Sequence, residues 1–169
     1  CIGLMTLQAC VLMGAERIVV ADVIERRLEK ALQLGAWHVI NGRKEDTVDR
    51  SRALFGGDGA DIVFETAGSR VTAMQSFASV RRGGEVMIVG TIPGETPVDF
   101  LKINREVKVQ TVFRYANNFP MTIQAISSGR FDVLTMVTDE YTYEDVQKAF
   151  EESLSRKAEI IKGVIKISD

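Results

Sequence analysis

Apolar residues fall along this chain in short blocks, and the blocks alternate between two periods. Residues 1–14 read as a helix, with Met5, Ala9 and Leu12 on one stripe and Gly14 placed to stop it. The run Ile18-Val19-Val20-Ala21 predicts a strand buried on both faces. Residues 25–34 return to helical spacing, with Leu28, Ala31 and Leu32 inward and Gly35 as the stop. A short strand over 38–40 and a helix over 45–55, ended by Gly56-Gly57, follow. Ile62-Val63-Phe64 then predicts another buried strand, over 61–65. A helix over 70–80 leads to the clearest strand, 85–90, carried by Val86-Met87-Ile88-Val89, and 107–113 predicts one more.

Strands separated by helices of about ten residues predict βαβ units and a parallel sheet. Right-handed crossovers make that a doubly wound α/β sheet, the Rossmann arrangement. About five strands are countable here, and the six-stranded form has one more. That first strand is expected upstream of Cys1. After Phe113 the character changes. Phe119-Pro120 opens a helix with Ile123 and Ile126, closed by Gly129. Thr142 and Asp145 have the spacing of a capping pair for a helix bearing Val146, Ala149, Phe150 and Leu154, and 160–167 predicts a final strand. This tail need not belong to the nucleotide sheet.

Asp22 ends the first strand, nineteen residues after Gly3. An acid there holds a ribose hydroxyl in a nucleotide-binding βαβ unit, and a third fingerprint glycine lets the helix pack on the strand. Gly3 fits that last glycine, with the helix N-terminus beside it facing a pyrophosphate. The two earlier glycines are not in the chain. The half-motif therefore predicts a nucleotide cofactor and a chain that is a piece of something longer. Asp22 accepts from both ribose hydroxyls and repels a 2′-phosphate, so it favours NAD over NADP. Its plainer role is an N-cap for the helix over 25–34, and both roles can hold together. Arg26 and Arg27 could offset that preference by pairing with a phosphate; a solvated helix face is the plainer reading of both, and the preferred one for Arg26. Gly68 and Gly90 each follow a strand end, where a cofactor approaches the backbone closely; plain turn chemistry is the alternative for either alone. Glu65 reads as a polar strand terminus rather than a base, and His38 as a surface or core-edge residue.

Composition narrows the partners. A net charge of −2 points to neither nucleic acid nor a membrane surface. No apolar stretch reaches the roughly 20 residues of a membrane span. The only cysteines, Cys1 and Cys10, lie too far apart on one helix to bridge, which fits a reduced cytoplasmic setting. Neither has metal-ligand spacing with His38.

These segments together resemble the cofactor half of a medium-chain, zinc-dependent alcohol dehydrogenase, and within that superfamily the sorbitol (polyol) dehydrogenase branch. The carrying stretches are Cys1-Ile2-Gly3-Leu4, Val20-Ala21-Asp22, Leu34-Gly35-Ala36, Glu65-Thr66-Ala67-Gly68, Gly83-Gly84 through Gly90, and Val112-Phe113-Arg114-Tyr115. The Arg-Tyr pair followed by Phe119-Pro120 is the most specific of them. The resemblance implies that Ile2 and Gly3 line the pyrophosphate and adenosine side, that Asp22 holds the adenosine ribose and that Arg27 flanks it. It implies cofactor contacts at Thr66 and Gly68. It implies that Val89, Gly90, Thr91, Val112, Phe113 and Arg114 meet the nicotinamide half. Arg114 and Tyr115 would reach toward a polyol or secondary-alcohol substrate. Residues 1–113 would then form the NAD-binding unit, and 114–169 would belong to the catalytic domain.

The family's zinc ligands have no counterpart in these residues, so zinc is expected in the parent protein only. Cys1 replaces the usual proline, and Trp37 the aspartate common after Leu-Gly-Ala. The parent is expected to be a homodimer or homotetramer that oxidises its substrate by hydride transfer, and the chain alone to be inactive. Two rivals remain: a methyltransferase-like domain binding S-adenosylmethionine, whose sheet would end in an antiparallel hairpin, and a non-catalytic nucleotide-binding module.

Overall fold

A computed structural model describes residues 1–103 and 106–168. Helix α1 spans Ile2–Leu12 and leads through a turn to strand β1, Val19–Asp22. Helix α2, Glu25–Gln33, crosses to β2, His38–Asn41. Helix α3, Thr47–Leu54, precedes β3, Ala60–Glu65. Helix α4, Arg70–Ser79, runs directly into β4, Val80–Ile88. A short helix α5, Phe100–Ile103, comes before β5, Lys108–Thr111. Helix α6, Phe119–Ser127, opens with Pro120 in its first turn. A 3-10 turn over Leu134–Met136, strand β6 over Asp139–Thr142, helix α7 over Val146–Ser155 and strand β7 over Gly163–Lys166 complete the order.

Each strand pairing among the described residues is parallel. β1 pairs β2, β3 pairs β4, β4 pairs β5, and β6 pairs β7. The pieces are a two-stranded sheet β1-β2, a three-stranded sheet β3-β4-β5 and a separate two-stranded sheet β6-β7. In the doubly wound order of six strands, the first two pieces flank one central strand. No described strand of this chain occupies that position. β1 and β3 therefore each present an edge of unpaired backbone.

That division explains where expected burial fails. Ile62 and Phe64 are exposed, and only Glu65 of β3 is buried. The continuous apolar runs of β1 and β3 suit strands covered on every side, and this chain covers only part of each. Helix α1 is apolar around its whole circumference, so periodicity could not choose its inward face. The buried residues are Leu4, Leu7 and Gln8, and Leu12 points out. Leu32 is likewise exposed, leaving Leu28 and Ala31 as the inward face of α2.

The helix stops work as their glycines suggest. Gly14 sits at φ 84° while the Ala15 N–H reaches the Cys10 carbonyl; Gly35 sits at φ 99° while the Ala36 N–H reaches the Ala31 carbonyl. Both are left-handed C-terminal caps. At α3 the Asp46 carboxylate accepts from the Asp49 N–H at 2.8 Å. Thr142 and Asp145 bond each other at 3.3 Å, and neither side chain caps a backbone amide of α7.

The tail differs from expectation by one strand. β6 is short and polar, Asp139-Glu140-Tyr141-Thr142, and makes a βαβ unit with α7 and β7. Its charge disguised it. Tyr141 donates to Glu152 at 2.9 Å, and Arg156 meets Asp139 at 3.0 Å and Glu152 at 2.8 Å, which ties α7 to β6. One core cluster joins the tail to the first half: Leu4, Leu7, Ala31 and Ala36 pack with Met136 and Ile161.

Exposed strand edges template association. The 169-residue chain on its own is expected to self-associate or to melt without cooperativity. Sedimentation velocity with a thermal melt checks this; a monodisperse monomer with one sharp transition contradicts it.

Candidate cofactor-binding edge

The carboxyl ends of β1 and β3 meet at the N-terminus of α1. A Cβ placed on Gly3 would lie 2.9 Å from the Thr66 hydroxyl, just past the end of β3. On the other side, Cys1 at the head of α1 lies within electrostatic reach of Arg27, Asp22 and Lys162. The first turn of α1 thus sits between Asp22 and Thr66. The N-terminal N–H groups and positive dipole end of a helix suit an anion. Ile2 is more than half exposed beside it.

Asp22 is fixed by its own turn. Its Oδ1 accepts from the Val23 N–H at 2.7 Å and the Ile24 N–H at 3.0 Å. The N-cap of α2 is Ile24, so Asp22 braces the turn before the helix instead of capping the helix itself. Oδ2 remains for another partner, and Arg27 Nη1 approaches it at 3.7 Å. Arg27 also donates through Nη2 to the Lys157 carbonyl at 3.0 Å, and its Nε is buried with no partner among the described residues. Arg26 is solvent-exposed.

Gly68 and Gly90 serve each other. Gly68 lies at φ 71°, and a Cβ there would come 2.8 Å from the Thr91 carbonyl oxygen. A Cβ on Gly90 would strike the Gly68 backbone and lie 2.5 Å from Glu65 Oε2. The turn leaving β3 is thus pressed against the turn leaving β4, with no room for a side chain at either glycine. Packing between turns accounts for both glycines by itself.

Beneath that contact lies Glu65, which sequence reasoning undervalued. It is 2% exposed. Its Oε1 accepts from the Ala67 N–H at 3.0 Å, the Gly68 N–H at 2.9 Å and the Thr72 hydroxyl at 2.7 Å. Its main-chain carbonyl takes the Val89 and Gly90 N–H groups at 2.8 and 2.9 Å. The signal was present as an acid before Thr-Ala-Gly-Ser with a threonine seven residues on. A sequence does not show where those donors point.

At the end of β5, the Val112 N–H bonds the Ile88 carbonyl at 2.9 Å. Phe113 and Tyr115 are largely exposed. Arg114 takes a left-handed φ of 54° and stacks on Phe113 at 5.1 Å, and Tyr115 meets the Phe119 ring at 5.1 Å. These residues share the carboxyl edge with the two glycines, and they are open to solvent. His38 begins β2 and so lies at the opposite, amino edge, where its Nε2 meets Arg50 at 3.3 Å.

The edge is not an enclosed cavity. A depression of about 750 Å³ is lined by Arg70, Glu95, Thr96 and Pro97, and includes none of the predicted site residues. Among the described residues no cluster of three or more His, Cys, Asp or Glu side chains could hold a metal ion. No helix among them is long and apolar enough to cross a membrane.

A family model described as zinc-binding dehydrogenase matches residues 1–128. The chain belongs to that family. It is 65% identical over its whole length to an uncharacterized zinc-type alcohol dehydrogenase-like protein of Escherichia coli, covering 49% of that protein. It is 38% identical over 97% of its length to a sorbitol dehydrogenase of Bacillus subtilis, covering 47% of it. Among solved structures, an Escherichia coli oxidoreductase of unknown specificity superposes with a TM-score of 0.97 at 65% identity, over all of this chain and 49% of that one. An alcohol dehydrogenase from a Thermus species superposes with a TM-score of 0.90 at 27% identity, over 99% of this chain and 48% of that one. The chain spans about half the length of the curated relatives it matches. Membership of this family removes the methyltransferase reading, whose sheet usually ends in an antiparallel hairpin, and β5 runs parallel to β4.

The turn-to-turn contact has a direct test. Gly68→Ala and Gly56→Ala impose similar left-handed strain, since Gly56 lies at φ 76° with nothing within 4 Å of its would-be Cβ. In the full-length protein Gly68→Ala is expected to cost about 1–3 kcal/mol more than Gly56→Ala, the overpacking penalty. Paired thermal melts read the difference, and equal losses refute the contact.

Proposed function

We propose that these residues are the cofactor-binding portion of an NAD-dependent, zinc-type dehydrogenase that oxidises a polyol or secondary alcohol. The observation that carries this is the pair of Asp22 and the α1 N-terminus. A carboxylate with one oxygen tied to its turn and one oxygen outward stands beside a helix N-terminus at the carboxyl ends of two parallel strands. A dinucleotide suits that arrangement, with its ribose hydroxyls on the acid and its pyrophosphate on the helix.

In this reading residues 1–113 form the nucleotide unit, and 114–169 belong with the substrate-binding half. Ile2 and Gly3 border the pyrophosphate, and Asp22 with Arg27 borders the adenosine ribose. Thr66, Gly68, Val89, Gly90, Thr91, Val112, Phe113 and Arg114 border the nicotinamide half. Arg114 and Tyr115, exposed at the same edge, are the side chains offered to the substrate. NAD supplies the acceptor for a hydride from the alcohol carbon. The described residues contain no metal-holding cluster, so the zinc implied by the family name is not theirs to bind. Their work is to hold the dinucleotide, orient its nicotinamide and wall off one side of the substrate. A cytoplasmic homodimer or homotetramer is the assembly we expect. A stand-alone, non-catalytic module is the weaker reading, because it leaves two strand edges unpaired.

Two measurements test the proposal. A like charge about 5 Å from Asp22 costs ~3 kcal/mol at an effective dielectric of ~20, or about a hundredfold. Calorimetric titration of the full-length protein should therefore show NAD bound about a hundredfold more tightly than NADP. Asp22→Asn keeps an acceptor for the turn and should shrink that preference more than tenfold. Equal affinity for the two cofactors in the wild type rejects the reading. The 169 residues alone, supplied with NAD and a polyol, are expected to make no NADH; turnover without another chain would show that the catalytic groups lie here.

A further inference from the structure

We infer that Glu65 is a positioning residue for the nicotinamide half of the site, an inference that rests on the dinucleotide reading above. Its placement differs from that of the other acids at this edge. Asp22 is partly exposed and its outward oxygen can meet a ligand. Glu65 is 2% exposed and cannot. It acts on two loops at once. Its carboxylate gathers the Ala67 and Gly68 amides and the Thr72 hydroxyl, which shapes the turn from β3 into α4. Its carbonyl gathers the Val89 and Gly90 amides, which sets the exit of β4. Its other carboxylate oxygen has no partner among the described residues and sits where a Gly90 side chain would be. One residue thus sets the spacing between the two loops.

Those loops meet the first turn of α1 through Thr66 and Gly3, while Asp22 ends β1. A dinucleotide draped across the carboxyl ends, with its pyrophosphate at the α1 N-terminus and its adenosine ribose on Asp22, leaves its second nucleoside over the loops that Glu65 ties together. The position of the nicotinamide relative to the substrate then depends on Glu65, while the adenosine half does not. Productive geometry tolerates shifts of only about 0.5 Å in its supporting residues. A loosened joint is therefore felt in ligand binding without any contact having been removed.

The test compares NADH with ADP-ribose, which keeps the adenosine half and the pyrophosphate and lacks the nicotinamide. In the full-length protein, Glu65→Ala is expected to weaken NADH binding about tenfold or more, the scale of one charge-assisted hydrogen bond, and ADP-ribose binding less than about twofold. Glu65→Gln keeps a carbonyl oxygen for the three Oε1 donors and should stay within about threefold of wild type for both. Thr72→Val removes one of those donors while leaving Glu65 in place. It should show the same split at smaller size, and it carries the test if Glu65→Ala does not fold. Fluorescence titration with NADH and calorimetry with ADP-ribose supply the numbers. A purely structural role would weaken both ligands together, and that result, or no loss for either, overturns the inference while leaving the dinucleotide reading intact. Wild-type protein that binds neither ligand overturns the dinucleotide reading, and the inference with it.

Discussion

Helix α1 is the constraint on which the other elements depend. The three sheets share no strand, so their relative placement rests on what packs between them. Leu4 and Leu7 bind the helix to the β1–β2 side through Ala31, Ala36, Ile18 and Val20. Gly3 lets its first turn close on Thr66 beyond β3. Gln8, buried on the same helix, donates to the Asp132 carbonyl at 3.1 Å and accepts from the Asp132 N–H at 2.7 Å, while Met136 and Ile161 complete the core. Full burial of a leucine contributes about 1.5–3 kcal/mol. Two leucines and one fully used amide are therefore a large share of what joins the halves. The same helix end that organises the fold stands at the proposed cofactor edge, so packing and the proposed binding draw on one element.

What could be read from the sequence was what local chemistry decides. Gly14 and Gly35 end their helices because the left-handed cap they adopt is disfavoured for residues with a Cβ. Asp22 is found by position alone, as an acid after a β-branched run. The parallel alternation from β1 to β5 follows from element lengths. Burial was harder to read, because it belongs to neighbours. Ile62 and Phe64 have the composition of a covered strand and lie exposed, since what would cover them is not among these residues. β6 escaped notice for the converse reason. Its acids and tyrosine are satisfied by Arg156 and Glu152 from α7, a pairing no local window contains.

The glycines at the carboxyl edge separate two kinds of inference. From sequence, a glycine after a strand suggests close approach by a ligand. In the structure, Gly68 and Gly90 approach each other, and Glu65 lies beneath them. Fixing the two loops against each other is a precondition for presenting a defined surface to anything bound there, so the packing role is compatible with the proposed binding role. It also shows that a glycine's location at such an edge does not by itself establish ligand contact.

One neighbour opposes the charge of Asp22, and its geometry limits it. Arg27 places a cation 3.7 Å from the outward oxygen, which could in principle accept a 2′-phosphate and cancel the acid's preference. Two facts limit it. The approach of 3.7 Å is longer than a hydrogen bond, so the pairing is loose. The guanidinium is also committed elsewhere, through Nη2 to the Lys157 carbonyl in the tail. Swinging toward a phosphate would break that bond between α2 and the tail. Asp22, by contrast, cannot turn away without losing two backbone hydrogen bonds. The acid is held in place and the base is held back, and under the proposed dinucleotide reading that balance favours a ribose with free hydroxyls over one bearing a phosphate.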